Sequence, residues 1–325
     1  MSAKPTTAIF VAVLPVLCSG AGVTQPPRAS ITVEGAAAAT APAGYAPAPS
    51  PAQILLQQAI VAMESRRSVA ARFRQSARLF GQELLGSGIY LEQPSAGGLQ
   101  FRLELKIQAA AGKEPTSLLR VCDGRYLWTY RQVRGTESLS RVDAGRIAQG
   151  LEEVGRMPQP GMIGDWPGLG GLPKLLRGLH AYFDFSIAQP VQLRDQLPAW
   201  RLCGSWKADR LAAILSSRQA TAPQGKVVEL DKFPRHLPSS VVLFLGRDDL
   251  FPYRLEYWRE GKTLDPARFE EGRAGQGGAG EILVAIDWFE VQFNVPIQPT
   301  RFTYNPGARP FSDDTRALLQ RLGLK

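Results

Sequence analysis

Residues Phe101 to Gln108 alternate apolar and polar without a break, with Phe101, Leu103, Leu105 and Ile107 set against Arg102, Glu104, Lys106 and Gln108. A period of two is what a strand with one buried and one wet face requires. The same pattern predicts a strand over Ser68–Leu79, where Val69, Ala71 and Phe73 oppose Arg72, Arg74 and Ser76. Phe80-Gly81-Gln82 turns it into a second strand, Glu83–Gln93, in which Gly86 and Gly88 weaken the ladder and suggest curvature or a bulge. After Ser117–Cys122, the dipeptide Asp123-Gly124 supplies the positive φ angles of a tight hairpin, and Arg125–Val133 returns. Glu137–Val142 reads as a sixth strand.

Helical spacing frames this block. Ser50-Pro51 is a helix-start signature ahead of Ala52–Met63, whose stripe runs through Leu55, Ala59, Ala62 and Met63. Ala144–Glu153 and Leu172–Ala181, the latter grouping Leu175, Leu176 and Leu179, predict two more helices around the proline- and glycine-rich Met157–Pro173. Strands return at Tyr182–Ala188 and Ala199–Ser205. Lys207–Ser217 is predicted helical and Thr221–Ser239 a loop. Ser240–Leu245, Pro252–Arg259 and Glu281–Phe293 close the series, the last two separated by the glycine-rich Gly272–Gly280. Strands joined by short turns make an antiparallel sheet, and about ten or eleven of them must curl. The expected fold is α+β: a strongly curved antiparallel sheet forming an incomplete β-barrel, its apolar concave face covered by a helical lid.

Composition narrows the function. At 325 residues and 44% hydrophobic content the chain can bury a real core. Its charge of +9 is spread among acids, as in Arg254, Glu256, Arg259 and Glu260, which predicts a solvated surface and no nucleic-acid partner. Two histidines and three cysteines, without Cys-x-x-Cys or His-x-x-x-His spacing, point to no metal site and no cofactor. Cys122 and Cys203 either pair in an oxidising compartment or remain two buried thiols. Nucleophile-elbow and phosphate-loop frames are absent, and paired acids such as Asp248/Asp249 and Asp313/Asp314 suit turns, so the expectation is not an enzyme. A carboxylate-only mechanism stays open.

The amino terminus has the layout of a signal peptide over residues 1–22: Lys4, an apolar run from Ala8 to Leu17 too short to span a bilayer, then small residues to Ala21 and Gly22. Cys18 raises a second possibility, a lipid-modified cysteine that tethers the protein to a membrane, although Leu17 stands where a small residue is usual. Residues 23–51, rich in Ala and Pro, are expected to be a disordered linker, with a folded domain over 52–315 and a C-terminal tail over 316–325. Exported and periplasmic placement follows.

Four stretches resemble the LolA/LolB-type family of periplasmic lipoprotein carriers and lipid-binding proteins. Phe73-Arg74-Gln75 resembles the family's Phe-x-Gln, and Gly86–Pro94 followed by Phe101-Arg102-Leu103 its second and third strands. Cys122-Asp123-Gly124-Arg125-Tyr126-Leu127-Trp128-Thr129-Tyr130 is similar to its Ser-Asp-Gly-Lys-x-Leu-Trp-x-Tyr hairpin, and Arg301-Phe302-Thr303-Tyr304-Asn305-Pro306-Gly307 to its closing Phe-x-Phe-x-Pro. The resemblance implies a half-barrel that receives acyl chains of lipids or lipoproteins beneath a lid. It also implies envelope membrane proteins as further partners. In the best-studied carriers an arginine implicated in lid closing precedes the proline after the second strand; here Gln93 precedes Pro94. The cavity residues expected from this reading are Val69, Phe73, Ile89, Leu91, Phe101, Leu103, Leu105, Leu119, Val121, Trp128 and Leu243, in a monomer. The alternative is a tethered sensing or interaction module of the same fold with no transport role.

Overall fold

The computed structural model describes residues 48–79, 82–108, 116–133, 135–154, 171–212, 237–259 and 280–324. The expected signal peptide with Cys18, most of the linker and most of the glycine-rich loop lie outside these residues. Helix α1 (Pro51–Glu64) precedes six consecutive strands: β1 (Val69–Leu79), β2 (Gln82–Ser95), β3 (Gly98–Ile107), β4 (Thr116–Asp123), β5 (Tyr126–Val133) and β6 (Thr136–Asp143). Helices α2 (Ala144–Val154) and α3 (Gly171–Tyr182) follow. The chain then forms β7 (Phe183–Gln192), β8 (Pro198–Trp206), β9 (Ser240–Gly246), β10 (Pro252–Arg259), β11 (Glu281–Phe293), the short β12 (Ser312–Asp313) and helix α4 (Thr315–Leu322).

Among the described residues the strands form one sheet in the order β12-β6-β5-β4-β3-β2-β1-β11-β10-β9-β8-β7. Two antiparallel meanders, β1–β6 and β7–β11, meet at the antiparallel β1–β11 seam, where Phe73 faces Trp288 and Gln75 faces Ile286. Only β12 pairs in parallel, on β6. Both edges stay open, so the sheet is an incomplete barrel and not a closed one. Gly86 and Gly88 do not produce the expected bulge: β2 pairs with β1 and β3 without a register shift. They make room instead, since a Cβ on Gly88 would strike the Phe73 ring and the Glu104 carbonyl. The bulges lie on the β1–β11 seam between Ala70 and Arg72 and within the second meander.

Local chemistry explains the element ends. The Ser50 hydroxyl accepts from the Gln53 amide at 3.1 Å, and the Gln53 side chain accepts from the Ser50 amide at 2.9 Å, a capping box on α1. Ser50 also donates to the Phe185 carbonyl, which ties α1 to the edge strand β7. The buried stripe of α1 is Ala52, Leu56, Ala59, Ile60 and Met63, one position round from the expected Leu55 stripe. At the β4–β5 turn the Asp123 carboxylate accepts from Arg125 and Tyr126 amides at 2.8 and 2.7 Å. The stretch expected as a C-terminal tail contains helix α4, and its Leu318 and Leu319, with Leu324 just beyond, are buried against Ile147 of α2.

Candidate functional site

In antiparallel pairs directly opposed residues share a face, so the registers assign every strand residue to one side of the sheet. On the inner face one row runs Trp288, Phe73, Gly88 and Leu105 across β11, β1, β2 and β3. The next two rows on one side of it carry Tyr90, Leu103 and Arg120, then Val69, Glu92, Phe101, Cys122 and Leu127. Leu243, Leu255 and Ile286 extend the apolar surface into the second meander. Helices α1 and α3 lie in the same buried cluster as this face, with Leu172, Leu175, Leu176 and Leu179 of α3 all buried. Between α3 and the sheet remains a cavity of about 30 Å³, lined by Phe73, Phe101, Leu103, Leu175, Ile286 and Trp288, with Tyr90, Arg120, Gly171 and Leu172 completing its wall. That is room for a water or two.

Of the residues expected to line a cavity, Val69, Phe73, Phe101, Leu103, Leu105 and Leu243 occupy the inner face. Ile89, Leu91, Leu119, Val121 and Trp128 do not. Ile89 and Leu91 oppose Arg72 and Ala70 on the outer face, beside Glu104 and Arg102. Leu119 and Val121 oppose Glu104 and Arg102, and Trp128 opposes Val121. The cause is two polar inward residues: Glu92 on β2 and Arg120 on β4, each more than nine-tenths buried, stand where alternation predicts an apolar side chain. Both strands are apolar on both faces, so hydropathy alone assigns the wrong one. The outer apolar patch is covered by the chain that follows β11: Phe302 is fully buried, and Tyr304 and Phe311 pack on Trp128 with ring centroids 5.5 and 4.9 Å away.

The polar end of the cavity is the feature that sequence reasoning missed. Tyr90 donates to Glu92 Oε2, and the Leu172 amide donates 3.0 Å to that oxygen and 3.0 Å to the Tyr90 hydroxyl. Burial pushes the Glu92 carboxyl up to about 7, against the opposing pull of Tyr90, the Leu172 amide and the Arg66 charge. Burial likewise raises Tyr90 well above its ordinary value. Gln93, the residue before Pro94, turns to the outer face and donates to Gln100 at 2.9 Å. Its inward neighbour Glu92 is the one that meets α3. At the other end of α3, Lys207 fastens the helix, its amide donating to the Tyr182 carbonyl at 2.9 Å and its ammonium to the His180 carbonyl at 2.8 Å. Cations at a helix C-terminus satisfy orphan carbonyls and the dipole together.

Cys122 and Cys203 are both free and buried, with burial pushing the Cys122 thiol to about 11. The registers put Cys122 on the inner face with Phe101, and Cys203 on the outer face behind Leu202 and Leu243. Their pairing is therefore ruled out in this fold. Among the described residues no group of three His, Cys, Asp or Glu side chains is placed to hold a metal ion. No helix among them is long and apolar enough to cross a membrane.

No family model and no curated protein matches the sequence. Among solved structures the chain is similar to LprF from Mycobacterium bovis, at a TM-score of 0.34 and 16% identity over 80% of this chain and 99% of that one. It is similar to a DUF1329 family protein from Desulfovibrio piger, at 0.32 and 14% over 78% of this chain and 98% of that one. A LolA superfamily protein from Nitrosomonas europaea matches at 0.27 and 12%, over 78% and 97%. At such scores the likeness carries no weight of its own, and the fold assignment rests on the strand order and the helices that cover the sheet.

Proposed function

We propose that this protein is an exported binder of acyl chains, from a lipid or a lipoprotein, which it holds on the inner face of the half-barrel where α3 lies in the empty form. One observation carries the proposal: among the described residues two short helices, α1 and α3, cover a broad apolar sheet face, with a residual cavity under the start of α3. The magnitudes are matched. Exposing Leu172, Leu175, Leu176 and Leu179 costs about 6–12 kcal/mol, and burying a chain of about sixteen carbons returns roughly 12 kcal/mol at 0.8 per methylene. A chain can therefore exchange places with a helix at little net cost, which suits reversible loading and release. The short apolar run before Cys18 supports export.

Purification from the native host followed by organic extraction tests this directly. The expected result is co-purified acyl lipid and, after delipidation, saturable uptake of a fluorescent long-chain fatty acid. A lipid-free protein that takes up no such probe refutes it. Mass spectrometry of the mature amino terminus then separates a free carrier, starting near Ala21 or Gly22, from a tethered module acylated at Cys18.

A further inference from the structure

Helix α3 begins on a buried acid. Gly171 opens it at φ +64°, and a Cβ there would collide with Glu92 Oε2 and the Tyr90 hydroxyl, so the backbone seats directly on the pair. The neighbours of Glu92 in its row, Val69 and Phe101, are apolar and buried, and packing alone gives no reason for a carboxyl. What the carboxyl meets is the helix start, where unsatisfied amides and the dipole favour an acceptor. Tyr90 stands in the wall of the cavity with Glu92 bonded to it, at the end of α3 that Lys207 does not fasten.

We propose that Tyr90 and Glu92 form a proton-controlled catch, holding the start of α3 on the sheet while Glu92 is protonated and releasing it as Glu92 ionises. The inference rests on the acyl-binding reading, since what the catch controls is access to that face. A neutral Glu92 still accepts from the Leu172 amide, whereas an ionised one carries a charge with almost no water around it. Lifting α3 returns that carboxyl to water and to its ordinary acidity. The closed form thus binds the proton more tightly than the open form, and closure is strongest below the ordinary carboxyl range. It weakens by up to about tenfold per pH unit as pH rises to about 7, then levels off.

Other charges facing Glu92 do not mimic this. Tyr90 on β2 and Cys122 on β4 are both raised away from the window by burial. Arg66 ahead of β1, Arg120 on β4 and Lys174 on α3 bring positive charge to the same end. His180 sits at the far end of α3, near Gln57 and Lys207. Burial and Lys207 lower its pKa, so its effect has the opposite sign and strengthens closure as pH rises.

Hydrogen exchange of the delipidated full chain, expressed as protection factors so that chemical exchange is removed, reads the catch from about pH 5 to about pH 8. Uptake of pyrene-labelled dodecanol, a neutral chain that does not titrate, is followed in parallel. In the wild type, protection of the 171–182 amides is expected to fall by up to about tenfold per unit up to pH 7 while uptake accelerates. Glu92→Gln is expected to lose the fall and be slow, with at most the rise that His180 gives, His180→Gln to keep or steepen the wild-type fall, and Gly171→Ala to be unprotected throughout. Wild-type protection that stays level or rises with pH overturns the proposal, and this measurement needs no variant. So does a Glu92→Gln protein that tracks the wild type. If protection follows the proton as expected but no chain is taken up at any pH, the catch stands and the acyl-binding reading falls.

Discussion

Leu176 is fully buried at the centre of α3, and truncating it separates a lid that cargo displaces from a helix that is simply part of the core. Leu176→Ala leaves a cavity between helix and sheet and should cost about 2–5 kcal/mol of stability in the empty protein. If a bound chain takes the place of α3, Leu176 is no longer buried in the complex, and the loss falls on the empty form alone. The variant then binds more tightly, by about thirtyfold at the low end of that range, because about 1.4 kcal/mol is a factor of ten. Urea unfolding of the delipidated protein gives the stability change, and titration with a fluorescent long-chain fatty acid gives Kd. A variant that loses the expected stability yet binds with unchanged or weaker affinity refutes the exchange of helix for chain.

Within a series of saturated fatty acids, affinity should climb about fourfold per methylene, the equivalent of 0.8 kcal/mol, until the inner face is filled; a flat series measured by probe displacement contradicts burial of the chain. Trp128→Ala should cost about 3–5 kcal/mol, since its ring is buried beneath Tyr304 and Phe311, yet leave fatty-acid Kd unchanged because it lies on the outer face. Asp313, held at about 2 by hydrogen bonds to Thr315 and Arg141, contributes stability that is present above its ordinary value and lost as pH falls toward 2. Asp313→Asn should flatten that acid limb by less than about 1 kcal/mol in urea midpoints measured across it, because the side chain is 42% exposed.

Strands whose two faces differ in polarity were legible from sequence. Phe101–Gln108 sets three charged residues against four apolar ones, and the register puts the apolar set inside. In β4, Leu118 and Leu119 are adjacent, and the inward row includes Arg120, so periodicity selects Leu119 and Val121 where the sheet uses Leu118 and Cys122. Glu92 reverses β2 in the same way. Arg120 lines the cavity and Glu92 bonds Tyr90, which does, so both errors fall at the site, where local preference gives way to its needs. Helix α4 did carry a signal: Leu318, Leu319 and Leu322 lie at helical spacing ahead of Gly323, which takes φ +66° as its cap. The parallel pairing of β12 on β6 carried none, since two residues are too few for a periodicity.

The way α3 joins β7 has a mechanical consequence. Tyr182 ends the helix and Phe183 begins the strand with no loop between, and Trp206 packs beside both rings. If α3 lifts, this junction makes Tyr182 its fulcrum and Gly171 the point of greatest travel. Twelve residues make an arm of about 18 Å, so a tilt of about 30° raises the far tip by about 9 Å. That is close to the roughly 10 Å between packed layers of secondary structure. A small rotation at one residue can thus open a whole layer's width at the other end, where the least force on the tip has the greatest torque.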